Sequence, residues 1–144
     1  MSTAALVALA TIVYAGFAVF TSRAGGKLDP KLGSAILNGV GAALPLAVWQ
    51  VQRMSRGGLV QTRPEGLLFS VLAGVAVGVF SILLVTVFAR GGELSFAIPT
   101  IYGGAIAITA VVGWLAFGEH FSWLRLAGVC GIVIGIGLLA LPAR

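Results

Sequence analysis

The residues of this chain that could carry out chemistry are few and weakly reactive. Its single histidine, His120, follows Glu119, and this pair could move a proton because histidine titrates near neutral pH. Charged neighbours in a short turn are more typical of side chains that face headgroups and water. No Ser–His–Asp set and no glycine-rich phosphate loop with its lysine can be assembled. The sequence therefore predicts no catalytic residue, and the chain is not expected to be an enzyme.

The one cysteine, Cys130, likewise predicts no special chemistry. It allows no internal disulfide, and without a neighbouring histidine or second cysteine it offers no metal site. We interpret it as a small core residue. Neither a metal nor an organic cofactor is predicted.

Four uncharged polar residues inside apolar stretches are better candidates for binding a molecule: Tyr14, Asn38, Thr100 and Tyr102. The Asn38 amide has several hydrogen-bonding groups to satisfy in a medium without water. Two interpretations stay open for Asn38, since it either lines a substrate cavity or bonds a neighbouring helix. Tyr102 could offer a hydroxyl or a ring face, including to a cationic ligand. These four residues are the predicted cavity lining.

The elements that must position these residues are five apolar stretches, of which only the fifth contains a charged residue, Arg125 near its start. A bilayer core of about 30 Å accommodates about 20 helical residues, so each stretch qualifies as a spanning helix. Hydrophobic residues make up 59% of the chain and charged residues only 9%. The sequence thus predicts an all-α integral membrane protein of the cell membrane, with one domain over residues 1–144 and five transmembrane helices joined by short loops. The predicted spans are Ala4–Thr21, Leu32–Val51, Leu67–Ala89, Ser95–Phe117 and Phe121–Leu141.

Several residues predict where helices begin, end or weaken. Asp29-Pro30 and Pro64-Glu65 are typical helix starts, because Asp caps well and Pro is tolerated in the first turn. Gly118 is expected to end the fourth helix. Pro45 predicts a bend in the second helix, and the Pro99–Gly104 segment predicts a broken fourth helix. The first span lacks a basic segment before it, so we interpret it as retained and not as a signal peptide.

The net charge of +5 is spread over the span ends and does not form one cluster. Anionic lipid headgroups are therefore the expected partners, and nucleic acid is not. With five spans, the connections on one side carry four Lys and Arg residues and those on the other carry five. Basic residues normally mark the cytoplasmic side, and this difference is too small to set an orientation. Either one orientation is selected by other features, or the chain inserts both ways and pairs with an inverted copy.

Glycines in the fifth span fall on one helical face, because steps of three and four residues keep to one side of a helix. Small residues at this spacing allow two helix backbones to approach closely in lipid. The stripe is interpreted either as packing within one chain or as the seam of a homodimer. The residues of this predicted seam are Gly128, Gly131 and Gly135.

The last two spans also resemble a known family. The fourth span ends in Phe117-Gly118-Glu119, and the glycine-rich fifth carries Leu126-Ala127-Gly128 and Ile134-Gly135-Ile136-Gly137. This pattern resembles the C-terminal part of an EamA-type repeat of the drug/metabolite transporter superfamily. Most relatives carry two such repeats in a ten-span chain, so a single copy implies one half of an inverted-repeat transporter, completed by a homodimer.

The resemblance implies alternating-access transport of a small, neutral or amphipathic metabolite through a cavity that the first four spans line. No span contains Asp or Glu, so a buried carboxylate that couples transport to protons is not expected. Facilitated diffusion and coupled transport both remain open. Two alternatives are a flippase for lipid-linked substrates, which the same superfamily includes, and a non-transporting accessory subunit of a larger membrane complex.

Overall fold

The chain is helical throughout the part that the structure, a computed structural model, describes: residues 2–56, 63–120 and 122–139. These residues form five α helices and no strand. The all-α prediction is therefore confirmed. The helices are α1 (Thr3–Ala24), α2 (Pro30–Arg56), α3 (Pro64–Ala89), α4 (Leu94–Phe117) and α5 (Trp123–Leu139).

Four of these helices, α1 to α4, are long and apolar enough to cross a membrane. The fifth, α5, is apolar but has 17 residues, fewer than the predicted span Phe121–Leu141. Phe121 and residues 140–141 lie outside the described residues. The structure thus supports a membrane protein with four candidate spans, and a fifth crossing stays a prediction.

The predicted helix ends are confirmed where the sequence marked them with capping residues. Asp29 Oδ1 accepts the backbone N–H groups of Lys31 and Leu32 at 2.9 and 3.2 Å, which satisfies two of the free donors at the start of α2. Pro64 occupies the first turn of α3. Gly118 ends α4 in the left-handed conformation with φ 63°, a region that favours glycine.

The prediction of a broken fourth helix is wrong. α4 continues without interruption through Pro99 and the glycines that follow, and α2 continues through Pro45. Pro99 lies in the second turn of α4, where it removes only one donor from the ladder. The residues after Pro99 keep their helical backbone hydrogen bonds, because an apolar medium offers the backbone no other partners.

The helices group into two compact units, and each is described by itself. The first unit contains α1, α2 and α3, and the second contains α4 and α5. The single-domain prediction is not tested by this grouping.

In the first unit, α2 and α3 pack side by side in opposite directions. Gly33 lies beside Val85, whereas Ser34 in the next position bonds Ser81 one turn earlier along α3. The end of α1 approaches α3 most closely at Gly25. A Cβ atom on Gly25 would lie 2.6 Å from Phe88 Cβ and 2.9 Å from its carbonyl carbon. Only glycine permits this approach between the two backbones.

In the second unit, α4 and α5 form a hairpin closed by the turn after Gly118. A Cβ atom on Gly103 would collide with the Ile136 side chain and lie 3.1 Å from Ile132 Cγ2. Ser122 starts α5, since its Oγ accepts the N–H of Arg125 at 3.3 Å. Gly103 therefore determines how closely α4 and α5 approach each other.

Most large apolar side chains are exposed on the chain itself, and no residue of α5 is buried. A water-soluble protein rarely leaves so much contiguous apolar surface uncovered. Lipid or another chain would cover this surface. Cys130 is exposed as well, so its interpretation as a core residue is wrong.

Candidate functional site

A polar network between α2 and α3 is the most developed hydrogen-bonded arrangement in the first unit. Ser34 and Ser81 are 3% and 2% exposed, and their hydroxyl oxygens lie 2.5 Å apart. Asn38 lies one turn after Ser34 and donates from Nδ2 to Ser81 Oγ at 2.6 Å and to the Ser34 carbonyl at 2.8 Å. Because Ser81 also donates to the Gly78 carbonyl at 2.9 Å, its hydroxyl is the centre of the network.

The orientation of the Asn38 amide follows from these partners. A backbone carbonyl can only accept, so the atom that contacts the Ser34 carbonyl must be the amide nitrogen. Asn38 Oδ1 accepts no hydrogen bond from any residue that the structure describes. The half-buried side chain thus presents an acceptor and keeps its donors inside the protein.

One of the two interpretations of Asn38 was that its side chain bonds a neighbouring helix. That interpretation is confirmed by the contact with Ser81. The other interpretation, a role in lining a substrate cavity, stays a prediction, and the free Oδ1 is compatible with it.

Tyr14 is half-buried on α1, in the same unit as Asn38. Its hydroxyl oxygen is buried, and its ring lies 5.7 Å from that of Phe17 at a 40° tilt. Such tilted aromatic pairs are favourable. The tyrosine is thus held by packing on its own helix.

Thr100 and Tyr102 are half-buried on α4, in the second unit. Two helical positions apart, they differ by about 200° around the helix axis and so point to different sides. The Thr100 hydroxyl is buried and has no hydrogen-bond partner among the described residues. A buried hydroxyl without a partner costs about 1–3 kcal/mol, so Thr100 is a position where a ligand or water would be stabilising.

An apolar groove of the first unit lies between α1 and α2. Its volume is about 450 Å³, and Val85 of α3 contributes to its wall. Neither Tyr14 nor Asn38 lines it. This groove therefore does not coincide with the predicted lining residues of the first unit.

The charged turn between α4 and α5 is exposed. Glu119 and His120 are both exposed residues, and Arg125 donates from Nη1 to the His120 carbonyl at 3.4 Å. The described residues contain no cluster of His, Cys, Asp or Glu that could hold a metal ion.

The predicted seam glycines face open space. Cβ atoms on Gly128, Gly131 and Gly135 would meet no atom within 4 Å in the described chain. The interpretation that this stripe serves packing within one chain stays a prediction. The stripe is available to a second copy, and the homodimer seam stays a prediction.

Sequence reasoning missed the importance of Ser34 and Ser81. Ser34 precedes Asn38 by four residues and so shares its helix face, which is a signal that the sequence contains. Ser81 carries no such signal, because its role depends on the pairing of α2 with α3.

Comparison with known proteins gives no matching family model, curated protein or solved structure.

Proposed function

We propose that this protein is a transporter that moves a small, neutral or amphipathic metabolite across the cell membrane by alternating access. In this proposal all five helices cross the bilayer, and two chains in opposite orientations form the working unit, as the resemblance to an EamA-type repeat implies. The proposed cavity is lined by Tyr14, Asn38, Thr100 and Tyr102, and the dimer contact uses Gly128, Gly131 and Gly135.

The observation that carries this proposal is the free amide oxygen of Asn38. Its amide group is held by Ser34 and Ser81, and polar groups inside a membrane normally find partners or mark a pathway. A fixed acceptor that faces away from its own network can bind the hydroxyl or amine hydrogen of a passing molecule. A purely structural asparagine would be expected to use both ends of its amide.

The charge distribution favours an uncharged or weakly charged substrate. The only carboxylate inside any of the five helices is Glu65, in the first turn of α3. No buried carboxylate is therefore available in these helices to bind a proton, a sodium ion or an organic cation. Facilitated diffusion needs none of these.

Replacement of Asn38 by Leu tests this function. The full chain is reconstituted in liposomes, and uptake of a pool of neutral metabolites is measured by mass spectrometry. We expect Asn38→Leu to reduce uptake about tenfold, because a lost buried hydrogen bond is equivalent to about 1–2 kcal/mol. Assembly in detergent, measured by size-exclusion chromatography, should be unchanged.

The matched control is Thr109→Val on α4, because Thr109 is exposed and its hydroxyl bonds only the Ile106 carbonyl of its own helix. It should transport like the native chain. Equal uptake by the native and Asn38→Leu proteins would refute the lining role. A native chain that transports nothing and co-purifies with a second membrane protein would instead favour an accessory subunit.

A further inference from the structure

Two opposite charges at the turn between α4 and α5 line one cavity without pairing. Glu119 and Arg125 both contribute to a cavity of about 340 Å³, whose remaining wall includes Gly128 and Ile132. In the part of the chain that the structure describes, neither side chain forms an ion pair. Each charge is therefore available to a ligand.

The end of α4 and the start of α5 determine where Glu119 and Arg125 lie. The Glu119 N–H donates to the Gly113 carbonyl at 3.1 Å, and the Glu119 carboxylate lies back over Gly113. A Cβ atom on Gly113 would be 3.1 Å from Glu119 Oε2, so a glycine at this position leaves room for the carboxylate. Arg125 is placed in the first turn of α5 by the Ser122 cap.

An apolar groove adjoins the charged cavity. It has a volume of about 400 Å³ and shares Ala110 and Val129 with that cavity. Trp114 and Trp123 line it, and Trp123 is 86% exposed. Tryptophans of this kind are enriched at the level of lipid headgroups, where the ring contacts acyl chains.

We propose that this turn binds one phospholipid with a primary ammonium headgroup, of the phosphatidylethanolamine class. Arg125 binds the phosphate, Glu119 binds the ammonium, and one acyl chain occupies the groove between Trp114 and Trp123. The charges of the cavity complement those of the lipid in both sign and number. Lipid binding does not require transport, but the cavity wall includes Gly128, so the lipid would lie beside the dimer contact of the proposed function.

The same chemistry disfavours other membrane lipids. A phosphatidylcholine headgroup has no N–H to donate to the Glu119 carboxylate. An anionic phosphatidylglycerol headgroup would satisfy Arg125 but leave the Glu119 carboxylate beside an uncompensated negative charge. A free headgroup without acyl chains would gain nothing from the apolar groove.

Tryptophan quenching by lipids with brominated acyl chains tests the site on the full chain in detergent. The Trp49→Phe variant removes the only other tryptophan, which lies on α2 beside Arg53. We expect saturable quenching by brominated phosphatidylethanolamine, with an apparent affinity about three- to fivefold above that for phosphatidylcholine, the range of one exposed charge pair. Soluble glycerophosphoethanolamine should not compete at equal concentration.

Variants of Glu119 and Arg125 distinguish the contributions of the two charges to lipid binding. Glu119→Gln should remove the preference for phosphatidylethanolamine over phosphatidylcholine, and Glu119→Asp should retain part of it. Arg125→Gln should weaken binding of both lipids. The matched control is Glu93→Gln, since Glu93 is an exposed carboxylate at the start of α4 that makes no capping bond.

Equal quenching by the two zwitterionic lipids, with Glu119 and Arg125 both unchanged, would overturn the proposal, and this comparison needs no charge variant to fold. Stronger binding of phosphatidylglycerol would also overturn it, because Arg125 alone would then determine the lipid. Competition by soluble glycerophosphoethanolamine would show that the cavity binds a free phosphate compound with an amine group, and this result would contradict a lipid site.

Discussion

At the scale of single residues, the Ser81 hydroxyl holds the polar network of the first unit together. It accepts from Asn38 Nδ2, lies 2.5 Å from Ser34 Oγ and donates to the Gly78 carbonyl. Two residues of α2 therefore depend on one atom of α3. Together with the Ser34 carbonyl, this atom holds the nitrogen end of the Asn38 amide and leaves the oxygen end available to a ligand.

Ser81→Ala should accordingly destabilise the protein and disturb Asn38. The loss of interhelical bonds should lower the free energy of unfolding by about 1 kcal/mol, within the range for hydrogen bonds between membrane helices. Unfolding by sodium dodecyl sulfate in mixed micelles, followed by circular dichroism, measures this change. Ser70→Ala is the control, because Ser70 is exposed on the same helix. Equal stability of the two variants would contradict the role assigned to Ser81.

At the scale of elements, the packing of α1 on α3 depends on one close approach. Gly25 follows the last residue of α1, and the atoms nearest to its missing Cβ belong partly to the Phe88 backbone. A backbone atom cannot rotate away as a side chain can. With the end of α1 packed this closely against α3, only glycine fits at position 25.

We expect Gly25→Ala to lower the free energy of unfolding by about 1–3 kcal/mol, the usual cost of overpacking. Gly39→Ala on α2 is the control, because its Cβ would meet no atom within 4 Å. That substitution should be neutral or should stabilise by up to about 1 kcal/mol through helix propensity. The same detergent unfolding experiment compares the two. Similar stability of Gly25→Ala and the native chain would show that α1 does not approach α3 as closely as described.

At the scale of the whole molecule, the apolar surface is larger than the chain can bury. α5 has no buried residue, and its glycine stripe meets no neighbour in the described chain. In the proposed transporter, a second copy in the opposite orientation covers this stripe and supplies the other half. The near balance of Lys and Arg across the predicted spans permits this arrangement.

Dual insertion predicts that the C-terminus is found on both faces of the membrane. A reporter fused after Arg144 that is active only inside the cell, and a second active only outside, should both give signal in comparable amounts. Adding three lysines after Arg144 should shift the signal toward the inside, because basic residues favour the cytoplasmic face. Signal from a single face for the native chain would exclude the inverted homodimer.

The sequence alone was sufficient for the properties that depend on local patterns. Uninterrupted apolar stretches predicted the helices, and Asp29, Pro64 and Gly118 marked helix ends that the structure contains. These features depend on backbone hydrogen bonds and φ angles of neighbouring residues, which nearby side chains determine. The prediction of a broken fourth helix was incorrect, because one proline near the start of a helix removes only one backbone hydrogen-bond donor and does not end the helix.

Only the tertiary structure decided which distant residues meet. Three such features follow from the packing of one helix against another or the closing of a turn: the contact of Asn38 with Ser81, the approach of Gly25 to Phe88, and the placement of Glu119 and Arg125 around one cavity. Helices with little amphipathic pattern, such as α3, contain no sequence signal for which face turns inward, because lipid and protein interior are equally apolar. In such a chain the sequence determines the helices, and their pairing depends on steric fit between small residues and on hydrogen bonds between polar ones.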